Sequence, residues 1–353
     1  MKTKLLLLVL LATGMFVSCK KDLLEDKNQN SSAITEPQAL IFGGNNLPAE
    51  GLMELGAKLK NPYSVTNMQI AYDEVKSLFP DSTAVFDIRA THKYVKFLPQ
   101  NQEEYQLLEA IEDIELFEYP LDYEIKKPGV YYKDPSIPED QPNPQYASVP
   151  VDFTLPSVNF EVLEELYIPE EVEDESLLST VTALVDQSLK LTNNLIDNIL
   201  QISFRRPKKW NPDGFIRVHD DVLGRLIPLE GAKVRATRWF TTKSDFTDAN
   251  GYYRTGDFRR PVNYSIKWET SKYDIRSGTW GQAKYDGPKQ KGRWNLDIQS
   301  WFGSSLGYAT VHRAAHRYFF RNTGGLKRPG NITKLKFNYY HDKNGTGVNW
   351  GNW

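Results

Sequence analysis

The alternation of apolar and polar positions predicts a mixed α and β domain in the first half of the chain. Apolar side chains recur every three or four positions over residues 67–79, which predicts an amphipathic helix. Residues 91–98 have the composition of a strand, and residues 101–114 return to helical spacing. Repeated prolines then divide the chain into turns and extended pieces. We therefore predict an α+β domain over residues 37–175, ending in a Pro-rich and acidic stretch.

A longer amphipathic helix is predicted over residues 176–204. Its apolar positions fall on one face, and Ser176 is a candidate cap. Acidic residues just before the helix would favour the positive end of its dipole. The helix either links two domains or packs on the core of the first.

The pattern changes to short alternating strands over residues 210–300. Residues 214–220 alternate apolar and polar side chains, as a half-buried strand does. The Asn250-Gly251 pair is a strong hairpin signal. Residues 301–353 form an aromatic and basic C-terminal extension, with a helical or extended stretch at 307–320 and a late strand at 335–340.

Three ordered motifs in this β-rich part resemble the carboxypeptidase regulatory-like domain, a transthyretin-like β-sandwich. They are G-x-I-x-V from Gly214, P-L-x-G-A-x-V from Pro228 and T-D-x-x-G-x-Y from Thr247. The resemblance covers roughly residues 213–297 and implies an all-β Greek-key sandwich. It implies no reaction, because one fold serves many functions. The motif residues are expected to be structural: Gly214, Gly231, Asp248 and Gly251.

The N-terminus carries the features of an export signal. Lys2 and Lys4 precede a short apolar run, which is too short to span a membrane as a helix. The segment ending at Cys19 resembles a bacterial lipobox, which implies a signal peptide at 1–18 and acylation of Cys19. Cys19 is the sole cysteine, so an intramolecular disulfide is excluded.

Residues 19–36 are polar and charged, as in a flexible tether. Their start resembles the surface-export signal of Bacteroidota-type lipoproteins. The resemblance implies a lipid-anchored protein of the outer membrane that is exposed at the cell surface, and the alternative is the periplasmic face.

The near-neutral net charge of −2 hides a strong polarity between the two halves. Residues 205–353 hold 28 Lys and Arg against 12 Asp and Glu, whereas residues 1–204 hold 15 against 33. All eight tryptophans lie in the basic half. Either the halves dock and the tryptophans fill cores, or basic and aromatic side chains bind an anionic glycan or an envelope protein. No nucleic-acid partner is expected. The candidate ligand-binding residues are Trp239, Trp268, Trp280 and Trp294.

His312 and His316 are the only histidines at a spacing that suits a metal. On a helix they would share one face, but Arg313 stands where a zinc peptidase has its catalytic glutamate. The alternative is that both imidazoles pack against neighbouring aromatic rings. Nucleophile-elbow, phosphate-loop and dinucleotide motifs are absent from the sequence. We predict no catalytic residues and no cofactor.

Together these patterns predict a lipid-anchored, non-enzymatic envelope protein that binds or scaffolds through its β-sandwich. The N-terminal region carries Asn61-Pro-Tyr63, Ala71-Tyr72, Tyr94-Val-Lys-Phe97 and Tyr119-Pro-Leu-Asp122-Tyr123-Glu124. These segments resemble those of Bacteroidota lipoproteins, a resemblance that implies longer relatives with a segment of zinc-peptidase character after the sandwich. The alternative is therefore a truncated or split metallopeptidase-like protein that lacks its catalytic segment.

Overall fold

The computed structural model describes residues 49–138, 140–169, 177–195, 204–205, 207–328, 334–342 and 345–350. The predicted signal peptide, Cys19, the tether, the candidate cap Ser176 and residues 196–203 of the predicted long helix lie outside these residues. The described residues belong to one compact unit, Asn46–Trp353. Strands hold 34% of the residues and helices 21%, so the β-rich class with several antiparallel sheets is confirmed.

The N-terminal region, residues 49–195, contains three helices and two small antiparallel sheets. Ser64 caps the first helix by accepting a hydrogen bond from the amide of Asn67 at 3.1 Å, and Asn101 caps the second in the same way. The helices are α1 (Val65–Leu78), α2 (Gln102–Glu109) and α3 (Leu178–Leu191), with a 3-10 turn at Pro80–Ser82. The strands are β1 (Glu54–Lys58), β2 (His92–Phe97), β3 (Tyr123–Lys127), β4 (Gln145–Pro150) and β5 (Phe160–Leu166).

Helix α3 packs on the core of this region. Its Leu184, Val185 and Leu189 share an apolar cluster with Met68 and Tyr72 of α1. The helix ends at Leu191, because Asn193 adopts a positive φ of 58° that breaks the helical path. Strands β1 and β3 pair with each other, and the second sheet has the order β4-β2-β5.

The C-terminal region, residues 204–350, holds the remaining elements in three sheets and one helix. Its helix α4 (Gly303–Phe320) follows the strand-rich part. The strands are β6 (Asp213–Asp220), β7 (Arg225–Pro228), β8 (Lys233–Arg238), β9 (Thr241–Phe246), β10 (Tyr252–Arg254), β11 (Val262–Lys267), β12 (Tyr273–Ser277), β13 (Gly281–Gln282), β14 (Lys284–Gln290), β15 (Leu296–Ile298), β16 (Leu335–Asp342) and β17 (Gly345–Trp350).

Two of these sheets share one apolar core. The first has the order β10-β6-β15, with β7 also pairing to β6, and the second has the order β14-β11-β8-β9. Ile216 and Val218 of the first sheet meet Val234, Ala236 and Ile266 of the second in this core. Most neighbours are antiparallel, but β15 runs parallel to β6.

The predicted C-terminal extension contributes to the same core. Phe302, Tyr308 and Ala309 at the start of α4 are buried in it, as are Phe337 and Tyr339 of β16. Strand β16 pairs in parallel with β12, in a third sheet of order β13-β12-β16-β17. Four aromatic residues after position 300 are thus part of the packing of the C-terminal region, whereas Trp301 is 68% exposed.

The turn between β8 and β9 reaches into the N-terminal region. Trp239 adopts a positive φ of 51° there, a conformation that costs energy in a residue with a side chain. Phe240 is buried among Tyr63 and Tyr94, with ring centroids 6.5 Å and 4.9 Å away. This apolar contact offsets the strain and joins the two regions.

Candidate functional site

The polar side of the second sheet is buried against the N-terminal region. Lys233 and Arg235 of β8 alternate with the core residues Val234 and Ala236, so they point to the opposite side. There the carboxylate of Glu115 pairs with Lys233 at 2.8 Å and with Arg235 at 3.2 Å. We call this side the covered face and define it by Lys233, Arg235, Lys267 and Lys284.

Aromatic rings complete the cover over these cations. The guanidinium of Arg235 lies 4.6 Å from the ring centroid of Phe117, and the ammonium of Lys284 lies 4.8 Å from that of Tyr119. Strand β14 is also paired to the N-terminal region, because the amide of Lys284 donates to the carbonyl of Val130 at 2.9 Å. The acidic and basic regions therefore dock on each other through paired charges.

Arg276 is the most enclosed cation of this interface, with 1% of its surface exposed. It pairs with Glu109 of α2, with Asp274 at 2.5 Å and with Glu118 at 3.5 Å. It also donates to the hydroxyl of Tyr105 at 2.6 Å. The buried guanidinium thus pairs with three carboxylates from both regions, and Lys336 also pairs with Glu109 at 2.8 Å.

Burial and neighbouring charge move the carboxyl pKa values in opposite directions. Burial raises the pKa of Glu118 to about 7, although Arg276 opposes the shift. Burial also disfavours the ionised form of Glu115, but the charges of Lys267, Lys233 and Arg235 outweigh it and hold the pKa of Glu115 below its usual value. Burial lowers the pKa of Lys284 despite its ion pair with Asp286.

A small cavity of about 20 Å³ lies between the two regions at this point. That is roughly the space of a single water molecule. The chemistry available here is ion pairing and proton uptake near neutral pH. The lining includes Tyr105, Glu109, Glu118, Arg235, Lys267 and Lys284.

The polar side of the first sheet faces solvent instead. On β6, Ile216 and Val218 point into the core, so Phe215 and Arg217 point outward. Phe215 remains 37% exposed, and its ring centroid lies 5.2 Å from that of Tyr252 on the paired strand β10. An aromatic pair is therefore presented on an open surface.

Two Arg–Asp pairs flank the aromatic pair. Arg217 donates through Nε and Nη2 to Asp297 at 2.7 and 2.6 Å, and Arg293 donates in the same way to Asp213 at 3.2 and 2.7 Å. The guanidinium of Arg293 also lies 5.8 Å from the ring centroid of Phe215. We call this surface the outer face, and its members are Asp213, Phe215, Arg217, Tyr252, Arg293 and Asp297.

The outer face is suited to binding a flat, polar ligand. Asp213 and Arg217 stand four positions apart on β6, which is roughly 13 Å along an extended strand. Each guanidinium has five N–H donors and uses two on its aspartate, so donors remain for a ligand carboxylate or sulfate. The hydrogen bonds that Arg217 donates to Asp297, together with the negative charge of that carboxylate, raise the pKa of Arg217 above its usual value.

The four tryptophans predicted to bind a ligand are distributed over different places. Trp268 and Trp294 are buried in the core of the C-terminal region. Trp239 packs beside Tyr63 in the N-terminal core, with ring centroids 6.3 Å apart. Trp280 is half-buried beside Tyr105 at the interface between the regions. Their large apolar surfaces fill cores and contacts, and they do not form a common exposed surface.

Of the histidine pair on α4, His312 is held by hydrogen bonds inside the C-terminal core, and the half-buried His316 stacks on its ring with centroids 5.8 Å apart. His312 is fully buried; its Nε2 lies 2.9 Å from the carbonyl of Glu230 and its Nδ1 lies 3.0 Å from the hydroxyl of Tyr273. A carbonyl only accepts, so Nε2 carries the proton and Nδ1 accepts from Tyr273. Burial, with a contribution from His316, lowers the pKa of His312 to about 3. Neither ring nitrogen of His312 offers a lone pair to a metal.

The motif glycines occupy positions that a larger residue could not take. A Cβ on Gly214 would lie 1.8 Å from the carbonyl oxygen of Trp294. Gly231 has a φ of 77° and lies against His316. Asp248 accepts from the amides of Asn250 and Tyr252 at 2.8 and 2.9 Å, which forms the turn before β10. These contacts are structural, as the sequence predicted.

The tryptophan content of the sequence did not predict the outer face. The available signal was in β6 itself, because Phe215 occupies a polar position of a strict alternation. The pairing of Tyr252, Arg293 and Asp297 with it depends on the sheet order and is not visible in the sequence.

Comparisons with known proteins found no relative of this chain. No family model matches the chain, and neither the curated proteins nor the solved structures contain a match. In the part of the chain that the structure describes, no helix is long and apolar enough to cross a membrane. Within the same residues, no three His, Cys, Asp or Glu side chains are grouped so as to hold a metal ion.

Proposed function

We propose that this is a lipid-anchored cell-envelope protein, attached through Cys19, that binds an anionic glycan with its C-terminal region. The export signal and the lipobox-like segment support the location. The strands and turns formed by the three hairpin motifs support a transthyretin-like, Greek-key sandwich of the carboxypeptidase regulatory-like type. The surface of the cell is the favoured location, and the N-terminal tether would hold the folded part away from the membrane.

The observation that carries the proposal is the outer face. Its aromatic pair is the right shape to stack on a sugar ring, because ring faces are electron-rich and attract polarised hydrogens. Arg217 and Arg293 supply donors for acidic substituents, and Asp213 and Asp297 accept from hydroxyl groups. In contrast, the cations of the covered face are already paired with carboxylates of the N-terminal region and take no part.

A glycan array tests the proposal with the full mature chain. The array should hold uronic-acid and sulfated oligosaccharides beside neutral ones of equal length. We expect binding to the acidic members, weakened by added salt because exposed charges are screened. Phe215→Ala should weaken binding about fivefold, since losing a stacked ring removes on the order of 1 kcal/mol.

Phe246→Ala is the matched control, because Phe246 is a phenylalanine on β9, outside the outer face, that is 47% exposed against 37% for Phe215. Its binding should equal that of the wild type. Absence of binding to any acidic glycan, or equal losses in both variants, would overturn the glycan proposal. The anchor is checked separately, since Cys19→Ala should abolish labelling by an alkynyl fatty acid and release the protein from the membrane fraction.

A further inference from the structure

Strand β5 forms an open edge of the sheet β4-β2-β5. One side pairs with β2 from Phe160 to Leu166. On the other side, among the described residues, backbone pairing is limited to the end of the strand. There Leu166 bridges to Ser64, and the amide of Tyr167 donates to the carbonyl of Tyr63 at 2.8 Å. Within the described chain, the outward backbone groups of residues 160–165 have no strand beside them.

The side chains of this edge are also open. Phe160 is 45% exposed, Val162 43% and Leu163 36%. A β-bulge opposite Tyr94 and Val95 interrupts the register at Leu163. Natural edge strands are protected by charged side chains, proline, bulges or a covering element, because an exposed apolar edge is a template for another strand. Strand β5 has one bulge and three glutamates but neither lysine nor proline.

The charge on β5 indicates the kind of strand that would pair with it. Its polar positions are all glutamates, at 161, 164 and 165. Two copies of this chain pairing edge to edge would place these carboxylates against each other, and like charges across a ladder are destabilising. The charge therefore disfavours self-association and favours a basic partner.

The other side of β5 already shows how a basic strand pairs with it. In the register of β2 with β5, Lys96 stands opposite Glu161 and Lys93 stands opposite Glu165. Tyr94 and Val95 lie between these lysines and are buried. A strand with basic residues three positions apart and apolar or β-branched residues between them thus fits the glutamates of β5 on one side. The same pattern would fit them on the open side.

We propose that β5 binds an extended, basic segment of a partner protein, which adds to the sheet as a fourth strand beside residues 160–165. Backbone hydrogen bonds would supply the pairing, and Glu161 and Glu165 would select the basic sequence, as in known strand-addition complexes. Glu164 would remain on Asn61, whose amide donates to it at 2.6 Å. This proposal does not depend on the glycan proposal, because the two surfaces lie on different regions.

The test uses the full mature chain and a synthetic peptide, acetyl-Thr-Lys-Thr-Val-Lys-Thr-Val-amide, with a fluorescent label. A peptide with glutamate in place of both lysines is the control. We expect the lysine peptide to bind with an affinity that falls as salt is added, and the glutamate peptide not to bind. Hydrogen exchange should slow several-fold in residues 160–165 when the lysine peptide is present.

Charge-reversal variants test whether the lysine peptide binds at the edge of β5 or responds only to the negative charge of the N-terminal region as a whole. Glu161→Lys with Glu165→Lys should weaken binding of the lysine peptide at least tenfold. The control pair Glu112→Lys with Asp113→Lys, on an exposed turn away from β5, makes the same change in net charge and should leave binding unchanged.

Three results would overturn the proposal. The first is no change in exchange at residues 160–165 with 1 mM peptide. The second is equal loss of affinity in both variant pairs. The third is protection of residues 160–165 from hydrogen exchange that rises with protein concentration in the absence of peptide. That result would show that a second copy of this chain pairs with the edge.

Discussion

The two sheets that share the C-terminal core differ in what meets their polar sides. The covered face carries Lys233 and Arg235 on β8, and the N-terminal region buries them under Glu115. The outer face carries Phe215 and Arg217 on β6 and stays in solvent. Both strands show the same alternation of apolar and polar residues. The comparison teaches that polarity on one side of a strand identifies the side away from the apolar core, but not whether water or protein lies there.

The difference also decides the energetic value of an ion pair. Exposed pairs stabilise a protein by less than about 1 kcal/mol, because water competes for the charges and side-chain entropy is lost. Removing one partner of a buried pair costs several times more, because a charge is left without compensation. Arg276 and Arg217 are therefore matched probes of the two environments.

The largest effect is expected from Arg276→Met. This substitution keeps much of the side-chain volume but leaves Asp274 and Glu118 without their shared cation, while Glu109 keeps only its pair with Lys336 at 2.8 Å. We expect a loss of about 3–5 kcal/mol in the free energy of unfolding, measured by urea denaturation. A loss of less than about 1 kcal/mol in the free energy of unfolding would show that water reaches these ion pairs as it reaches those of the outer face.

A smaller, pH-dependent effect is expected from Glu118→Gln. Burial raises the pKa of Glu118 to about 7, so the folded state binds its proton more tightly than the unfolded state does. The stability from this proton is fully present below about pH 4.5 and is lost as pH rises towards 7, in total about 3 kcal/mol.

The glutamine variant lacks this proton and should therefore lose less stability between pH 5 and pH 8 than the wild type. Urea denaturation across this range measures the difference. Glu109 and Glu115 have lowered pKa values and the opposite pH dependence, but they are present in both proteins and cancel. Parallel curves for the two proteins would mean that Glu118 is ionised throughout.

The smallest effect is expected from Arg217→Met on the outer face. Its bidentate pair with Asp297 is half-exposed, so the loss of stability should stay below about 1 kcal/mol. Binding of acidic glycans should fall more than stability does. A loss as large as that of Arg276→Met would remove the distinction between the two faces.

Much of the local structure followed from periodicity and capping. The helix predicted over 67–79 is Val65–Leu78, and the strand predicted over 91–98 is His92–Phe97. The helix predicted over 101–114 ends earlier, at Glu109, because the chain turns at Ala110 and Ile111. Residues 307–320, where the pattern left helix and strand open, lie in a helix that begins at Gly303.

The sequence predicted the candidate site far less well than it predicted the helices and strands. Tryptophan content indicated aromatic binding, but four of these rings fill cores and contacts that only the packing of distant segments creates. The outer face combines Phe215 with Arg293 and Asp297, about eighty positions away, through the parallel pairing of β15 with β6. The order of strands in such a sheet cannot be recognised from a local pattern in the sequence.

The sequence by itself determined the helices, strands and turns, because hydrophobic spacing, capping residues and glycines act over a few positions. It also determined the polarity of charge between the two halves. Only the tertiary structure decided that these charges meet at the covered face. There, burial removes water from the charges, so each one is compensated by the opposite charges packed around it. Tertiary structure likewise left the outer face and the edge of β5 open, since exposure depends on which segments pack together and not on the residues of one strand.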